Sequence, residues 1–192
     1  MRKVYLISLI LLLSLAVEAR KPGIPKNQLF VNYGLLDLSY MMQLIQVFQF
    51  TMDDVRLEGQ PGQFNIEYRY RFDYVGVGGS LFARQFHYSF LNGQGQLHHS
   101  HNMRYMGLMA HVDVYWLQDP GFSFSSQIGV GIRQVQDNYR SDINPSYVHD
   151  IYKAAFQVTP IIMTFGNHNV HGRFDMGVGH RGFVAVGIGM QF

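Results

Sequence analysis

The chain has no cysteine, so it carries no disulfide framework, no thiol nucleophile and no iron–sulfur site. That absence is compatible with an oxidising envelope compartment. After the first twenty residues no apolar stretch reaches the length of a transmembrane helix. Charge of one sign is also missing: 15 Lys and Arg stand against 13 Asp and Glu, a net of +2, and nothing points to nucleic acid. No phosphate-binding glycine loop is present either. Gly76-Val77-Gly78-Gly79 reads as part of a strand, with no helix or Lys after it.

What is there begins with the N-terminus. Arg2 and Lys3 precede an apolar run over residues 4–16, and Val17-Glu18-Ala19 offers small residues for cleavage. This is the layout of a secretory signal peptide. Residues 1–19 are therefore expected to be removed, leaving residues 20–192 as one domain, near-neutral once Arg2, Lys3 and Glu18 are gone.

The remainder alternates. Phe64, Ile66, Tyr68, Tyr70 and Phe72 take turns with Gln63, Asn65, Glu67, Arg69 and Arg71. Side chains point to opposite faces along a strand, so this period of two marks one apolar and one polar face. Met106, Leu108, Ala110, Val112, Val114 and Trp116 oppose Gly107, Met109, His111, Asp113 and Tyr115. Phe122, Phe124, Ile128, Val130 and Ile132 oppose Ser123, Ser125, Gln127, Gly129, Gly131 and Arg133. Val170, Phe174, Met176 and Val178 oppose His171, Arg173, Asp175, Gly177 and Gly179. Residues 75–86 and 152–162 fit less cleanly. In the second, Phe156, Val158 and Ile162 share a face, and Pro160 predicts a bulge or strand end. Residues 29–34 and the closing run 184–192 bring the strands to eight.

Asp119-Pro120-Gly121 is a tight-turn signal, and residues 72–74 and 166–169 serve as short connections. Longer polar loops are expected over residues 91–102 and 137–150. Short and long connections thus alternate, as periplasmic turns and extracellular loops do, except that the last hairpin, His180-Arg181-Gly182, is short on the outer side. Leu38, Met41, Met42, Ile45, Phe48 and Met52 recur at helical spacing, which suggests a short amphipathic helix over residues 39–53 in the first extracellular loop. The alternative is that the first strand continues through Tyr40.

In the last segment Val184, Val186, Ile188, Met190 and Phe192 form one apolar stripe, ending on Phe. It resembles the C-terminal strand by which bacterial outer-membrane barrels are recognised for assembly. Together with Tyr33-Gly34, Phe165-Gly166, the run from Gly177 to Gly182 and Gly187-Ile188-Gly189, it is similar to small bacterial outer-membrane β-barrel proteins, the OmpX/OmpA-like eight-stranded barrels. The resemblance implies fold, bacterial outer-membrane location, contact with lipid and lipopolysaccharide, and handling by the barrel assembly machinery. It carries no catalytic residue across.

The fold expected is all-β: an eight-stranded antiparallel transmembrane barrel. Glu67, Arg69, Arg71, Arg84, His111, Asp113, Arg133, Lys153, Arg173 and Asp175 all fall opposite the apolar stripe. In a membrane barrel that face is the interior, whereas a lipocalin-like barrel would be the reverse. Trp116, Phe122 and Phe124, flanking the Asp119-Pro120-Gly121 turn, suit a periplasmic aromatic girdle. Eight strands leave a lumen only wide enough for side chains, so these charges are expected to pair.

Chemistry is harder to find. His98, His99 and His101 are candidate metal ligands, but no carboxylate or Cys in that stretch completes a site. His98-X-Ser100 resembles the His and Ser of outer-membrane lipid A deacylases, yet no acid can be named to orient the base. The aromatic, basic and amide groups of residues 138–147 suit polar recognition. The reading is a non-enzymatic barrel with an envelope-structural or surface-interaction role, no cofactor, and no nucleic-acid partner. The alternatives are an outer-leaflet lipid-modifying enzyme or lipid carrier, and a narrow channel.

Overall fold

The computed structural model describes residues 26–35, 55–59, 62–91, 97–141, 147–167 and 169–192. The helix expected over residues 39–53 lies outside them. Nine strand segments follow one another: β1 (Asn27–Leu35), β2 (Val55–Gly59), β3 (Gly62–Arg71), β4 (Val75–Leu91), β5 (Leu97–Asp119), β6 (Phe122–Ser141), β7 (Tyr147–Gly166), β8 (Val170–Gly179) and β9 (Val184–Gln191). Every pairing is antiparallel. Both β2 and β3 pair with β4, so they are two parts of one wall strand. Pairing of β1 with β9, Gln28 opposite Gln191 through Leu35 opposite Val184, closes the sheet into an eight-stranded barrel. Closure removes the free edges that hydrocarbon would not tolerate.

The sides of the wall are inverted relative to a soluble protein. Leu81, Met106, Ile128, Val130 and Ile188 each leave more than half of their surface outside, while Glu67, Arg69 and Asp113 are fully buried inside. Only a lipid exterior makes that distribution favourable. Among the described residues no helix is long and apolar enough to cross a membrane.

The strand ends at Asn27 and Gln191 share one rim with the short connections at residues 72–74 and 120–121 and with Asn167 and Asn169. At the opposite rim β4 to β7 run on well past the shorter strands. The loops expected over residues 91–102 and 137–150 are mostly ladder: Ser100 pairs with Arg140 and Asp137 with His149. Both faces are polar there, so alternation gives no sign of the strand, but extension satisfies backbone groups that a loop would leave to water. Residues 27–35 likewise extend the first strand beyond 29–34.

Pro160 produces a bulge. Register slips between Val158 and Ile161 on β7 and between Ser125 and Gln127 on β6. The slip reverses the phase of the strand. Ile162, expected on the outward stripe with Phe156 and Val158, is instead wholly buried, and the Ser126 hydroxyl donates to the Pro160 carbonyl at 2.6 Å.

Candidate functional site

The lumen is built by alternation. Inward positions on β3 carry Gln63, Asn65, Glu67, Arg69 and Arg71, and those on β8 carry His171, Arg173 and Asp175. Large groups need small ones opposite them in so narrow a tube. A Cβ at Gly189 would come within 2.7 Å of the Phe30 ring, and one at Gly129 within 2.6 Å of the Met109 sulfur.

Glu67 is the hub. Its Oε1 accepts from Arg173 Nη1 at 2.7 Å, from Gln127 Nε2 at 3.1 Å and from Arg69 Nε at 3.1 Å. Its Oε2 accepts from Arg181 Nη1 at 2.5 Å. Asp175 takes Arg173 Nε at 2.6 Å and Arg181 Nη2 at 3.1 Å. Asp113 faces Arg69 Nη2 at 3.2 Å and accepts from Gln127 Nε2 at 3.0 Å. Three carboxylates thus meet three guanidiniums. Arg69 and Arg173 also stack on Phe30, at 5.7 and 5.1 Å from its ring centre. Arg69 Nη1 donates to the Tyr115 hydroxyl at 3.2 Å, which donates to Gln28 Oε1 at 3.1 Å. His111 Nε2 lies 3.5 Å from Glu67. The whole forms a cross-braced plug, in which each charge has a partner at contact distance.

Arg181 is the member that alternation does not reveal. It belongs to the β8–β9 connection, not to a strand, yet it is buried and reaches both Glu67 and Asp175. Gly182 permits this. It adopts φ +107°, and a Cβ there would stand 2.5 Å from the Leu35 carbonyl oxygen. The backbone amide of Arg181 donates to Gln157 Oε1 at 2.8 Å.

The other inward bases sit apart from the plug. Arg71 stacks on Tyr115 at the short-turn side, 5.4 Å from the ring centre. Arg84 stacks on Phe86 at 4.8 Å and Arg133 on Tyr105 at 5.2 Å, and those two rings stack on each other at 5.6 Å. Lys153 pairs in register with Arg133 but is exposed, because β7 has by then risen past the closed part of the wall.

His98 and His99 fall in the first residues of β5. His101, two residues on, does have a carboxylate beside it: its Nδ1 lies 2.9 Å from Asp137 Oδ2. Sequence spacing could not supply this partner, because it comes from the neighbouring strand. The His101 ring packs edge-on against Tyr139, which stacks on Tyr147, each at 4.9 Å. Among the described residues no three His, Cys, Asp or Glu side chains gather to hold a metal. Ser100 is buried within the ladder. A Ser–His contact exists elsewhere, with Ser89 Oγ 3.0 Å from His87 Nε2, and Glu58 stands opposite His87 in the β2–β4 register. A serine needs an oriented base to act as a nucleophile.

No protein-family model matches the chain, and no curated protein matches it. Among solved structures it is similar to Ail, the attachment invasion locus protein of Yersinia pestis, with 16% identity, a TM-score of 0.47, and coverage of 88% of this chain and 95% of that one. Ail in complex with the heparin analogue sucrose octasulfate gives a TM-score of 0.44 over the same shares. The N-terminal β-barrel domain of Pseudomonas aeruginosa OprF gives 0.43, with 9% identity over 88% and 98%. The wall itself is inverted, apolar outside and charged inside. The chain is a transmembrane β-barrel. In the barrel's last strand, Val186 and Ile188 face outward and Ala185 and Gln191 inward, while Val184, Met190 and Phe192 are half-buried.

Proposed function

We propose that this outer-membrane barrel is a non-enzymatic surface protein, which contributes to the envelope through contacts made at its long-strand end. The observation that carries this reading is the rise of β4 to β7 beyond the closed wall. β5 has 23 residues where β9 has 8, and the excess lies at one rim. A membrane strand needs only about 9–11 residues, so the remainder is a raised sheet free for recognition. Its tip carries Tyr139 and Tyr147, the kind of aromatic groups that anchor contacts. The plug supports the same reading against a channel, since a path through the centre would have to break several buried ion pairs.

In this reading residues 1–19 are a cleaved signal peptide, and residues 20–192 make the barrel domain. The stripe of Val184, Val186, Ile188, Met190 and Phe192 is the mark read by the assembly machinery. The outer wall contacts lipid and, in the outer leaflet, lipopolysaccharide.

Orientation is the test. The chain has no cysteine, so single replacements can be labelled cleanly. Tyr147→Cys is expected to react with a membrane-impermeant maleimide on intact cells, and Tyr74→Cys only after the outer membrane is opened. Labelling in the reverse order would put the raised sheet in the periplasm and end the surface reading.

A further inference from the structure

One inward row of the wall leaves its polar groups unmatched. From strand to strand it runs Gly187 on β9, Asn32 on β1, Asn65 on β3, Phe82 on β4 and Gly107 on β5, each opposite the next. It lies one step outward from the row that holds Phe30 and Glu67, and Gln63 stands a further step out on β3. Side chains near both ends of the row lie flat against the wall. The Asn32 amide oxygen takes the space that a Cβ at Gly187 would need, and the Phe82 ring does the same at Gly107. An eight-stranded barrel whose side chains lie back in this way has room for one small molecule. Asn32, Asn65 and Gln63 are each only 3% exposed. Neither the nitrogen nor the oxygen of the Asn32 and Asn65 side chains has a hydrogen-bond partner, and the Gln63 side-chain nitrogen has none. Buried polar groups are almost always paired, because burying one alone forfeits its bonds to water.

We infer that this row is a binding site for a small uncharged molecule that presents a donor and an acceptor side by side, as the edge of a carboxamide or lactam does. The carboxamide of an Asn offers the complementary pair, so two hydrogen bonds can form at once. Asn32 and Asn65 supply two such edges, Gln63 a further donor, and Phe82 an apolar surface. A few placed polar groups beside an apolar wall are the usual make-up of a ligand pocket. The floor selects against charge. There Arg69, Arg173 and Arg181 are matched by Glu67, Asp113 and Asp175. An ion placed on that floor would lose its water without gaining a counter-charge. The plug lies on the short-turn side of the row, so the molecule enters from the long-strand end and goes no further. This site goes beyond the surface reading above and does not depend on it.

The probes are acetamide and acetate, which share a shape and differ in charge. Each is titrated into the refolded full barrel in phosphatidylcholine nanodiscs, with the side-chain amide signals read by NMR and assigned through single Asn and Gln replacements. Acetamide is expected to shift the Asn32, Asn65 and Gln63 signals along one saturable curve, and acetate should bind roughly tenfold more weakly or not at all. Asn32→Leu with Asn65→Leu should weaken acetamide by roughly tenfold or more, read at the remaining Gln63 amide. Asn169→Ala, at an exposed position on the short-turn rim, should leave the curve unchanged. Equal affinity for acetate would make this an anion site and overturn the inference. So would the lack of a saturable response to acetamide, whether the three amides then show long-lived contacts with water or with one another. Should the double variant fail to fold, the two probes on the unaltered barrel still decide between these outcomes. Cysteine labelling at Tyr147 reports the surface reading separately, so either can fail without the other.

Discussion

Arg181 donates to Glu67 at 2.5 Å across 114 residues of chain, tying the last connection of the barrel to its second wall strand. The contact is buried on both sides. It makes the β8–β9 turn part of the interior, so the barrel is closed both by its seam and by a side chain folded down through its outer end.

Glu67 serves three arginines at once, and removing its charge should be felt by all of them. Breaking a buried pair leaves an uncompensated charge and costs about 3–5 kcal/mol. Glu67→Gln is therefore expected to lower the unfolding free energy, read from urea titration, by that order. Removing a guanidinium as well, in Glu67→Gln with Arg181→Gln, should recover part of the loss. A double-mutant cycle showing coupling below about 0.5 kcal/mol would mean that the two residues act independently.

Gly182 is needed for its backbone. With φ at +107° and the Leu35 carbonyl 2.5 Å from where a Cβ would sit, Gly182→Ala should cost about 1–3 kcal/mol. The same variant should slow closure of the β1–β9 seam, read as slower appearance of the heat-modifiable folded band on gels. Wild-type stability and refolding would remove the strain from the account.

Two isoleucines separate the faces of the wall. Ile188 is 61% exposed and Ile162 not at all. Near mid-membrane, Ile188→Arg should cost about 2–4 kcal/mol, while Ile162→Ala should cost about 2–5 kcal/mol as a cavity. A change below about 0.5 kcal/mol for Ile188→Arg would mean that its face is wet.

The plug also bears on conduction. In planar bilayers the barrel is expected to show no discrete steps, and Arg69→Ala or Arg71→Ala should create none of defined size. Discrete conductance altered by either variant would favour a channel instead.

Alternation made most of the wall legible in the sequence. Strands such as β3 and the membrane part of β5 have one apolar face and one polar face, and a period of two then fixes which side each residue takes. The same logic placed Glu67, Asp113 and Arg173 on one face, and the structure brings them together. It fails where its premise fails. The upper parts of β5, β6 and β7 are polar on both faces, so they look like loops. Pro160 signals a bulge, but its effect on phase, and so the side Ile162 takes, depends on how two strands absorb the extra residues. Arg181 has no strand neighbour to give it a face, and its place depends on the left-handed Gly182. The meeting of His101 with Asp137 is set by pairing between strands, which no local pattern contains.

The claim most in need of direct test is that the apolar side of the wall faces lipid. Trp116 is the only tryptophan. It lies on the outer surface near the short-turn rim, 65% exposed, its indole nitrogen donating to Ser126 at 2.9 Å. Fluorescence of the refolded barrel in vesicles containing lipids brominated at different depths reads its surroundings. Blue-shifted emission, quenched most by bromine placed near the headgroup, is the predicted result. Emission like that of an indole in water, unquenched at every depth, would contradict a lipid-facing wall and with it the account of the interior.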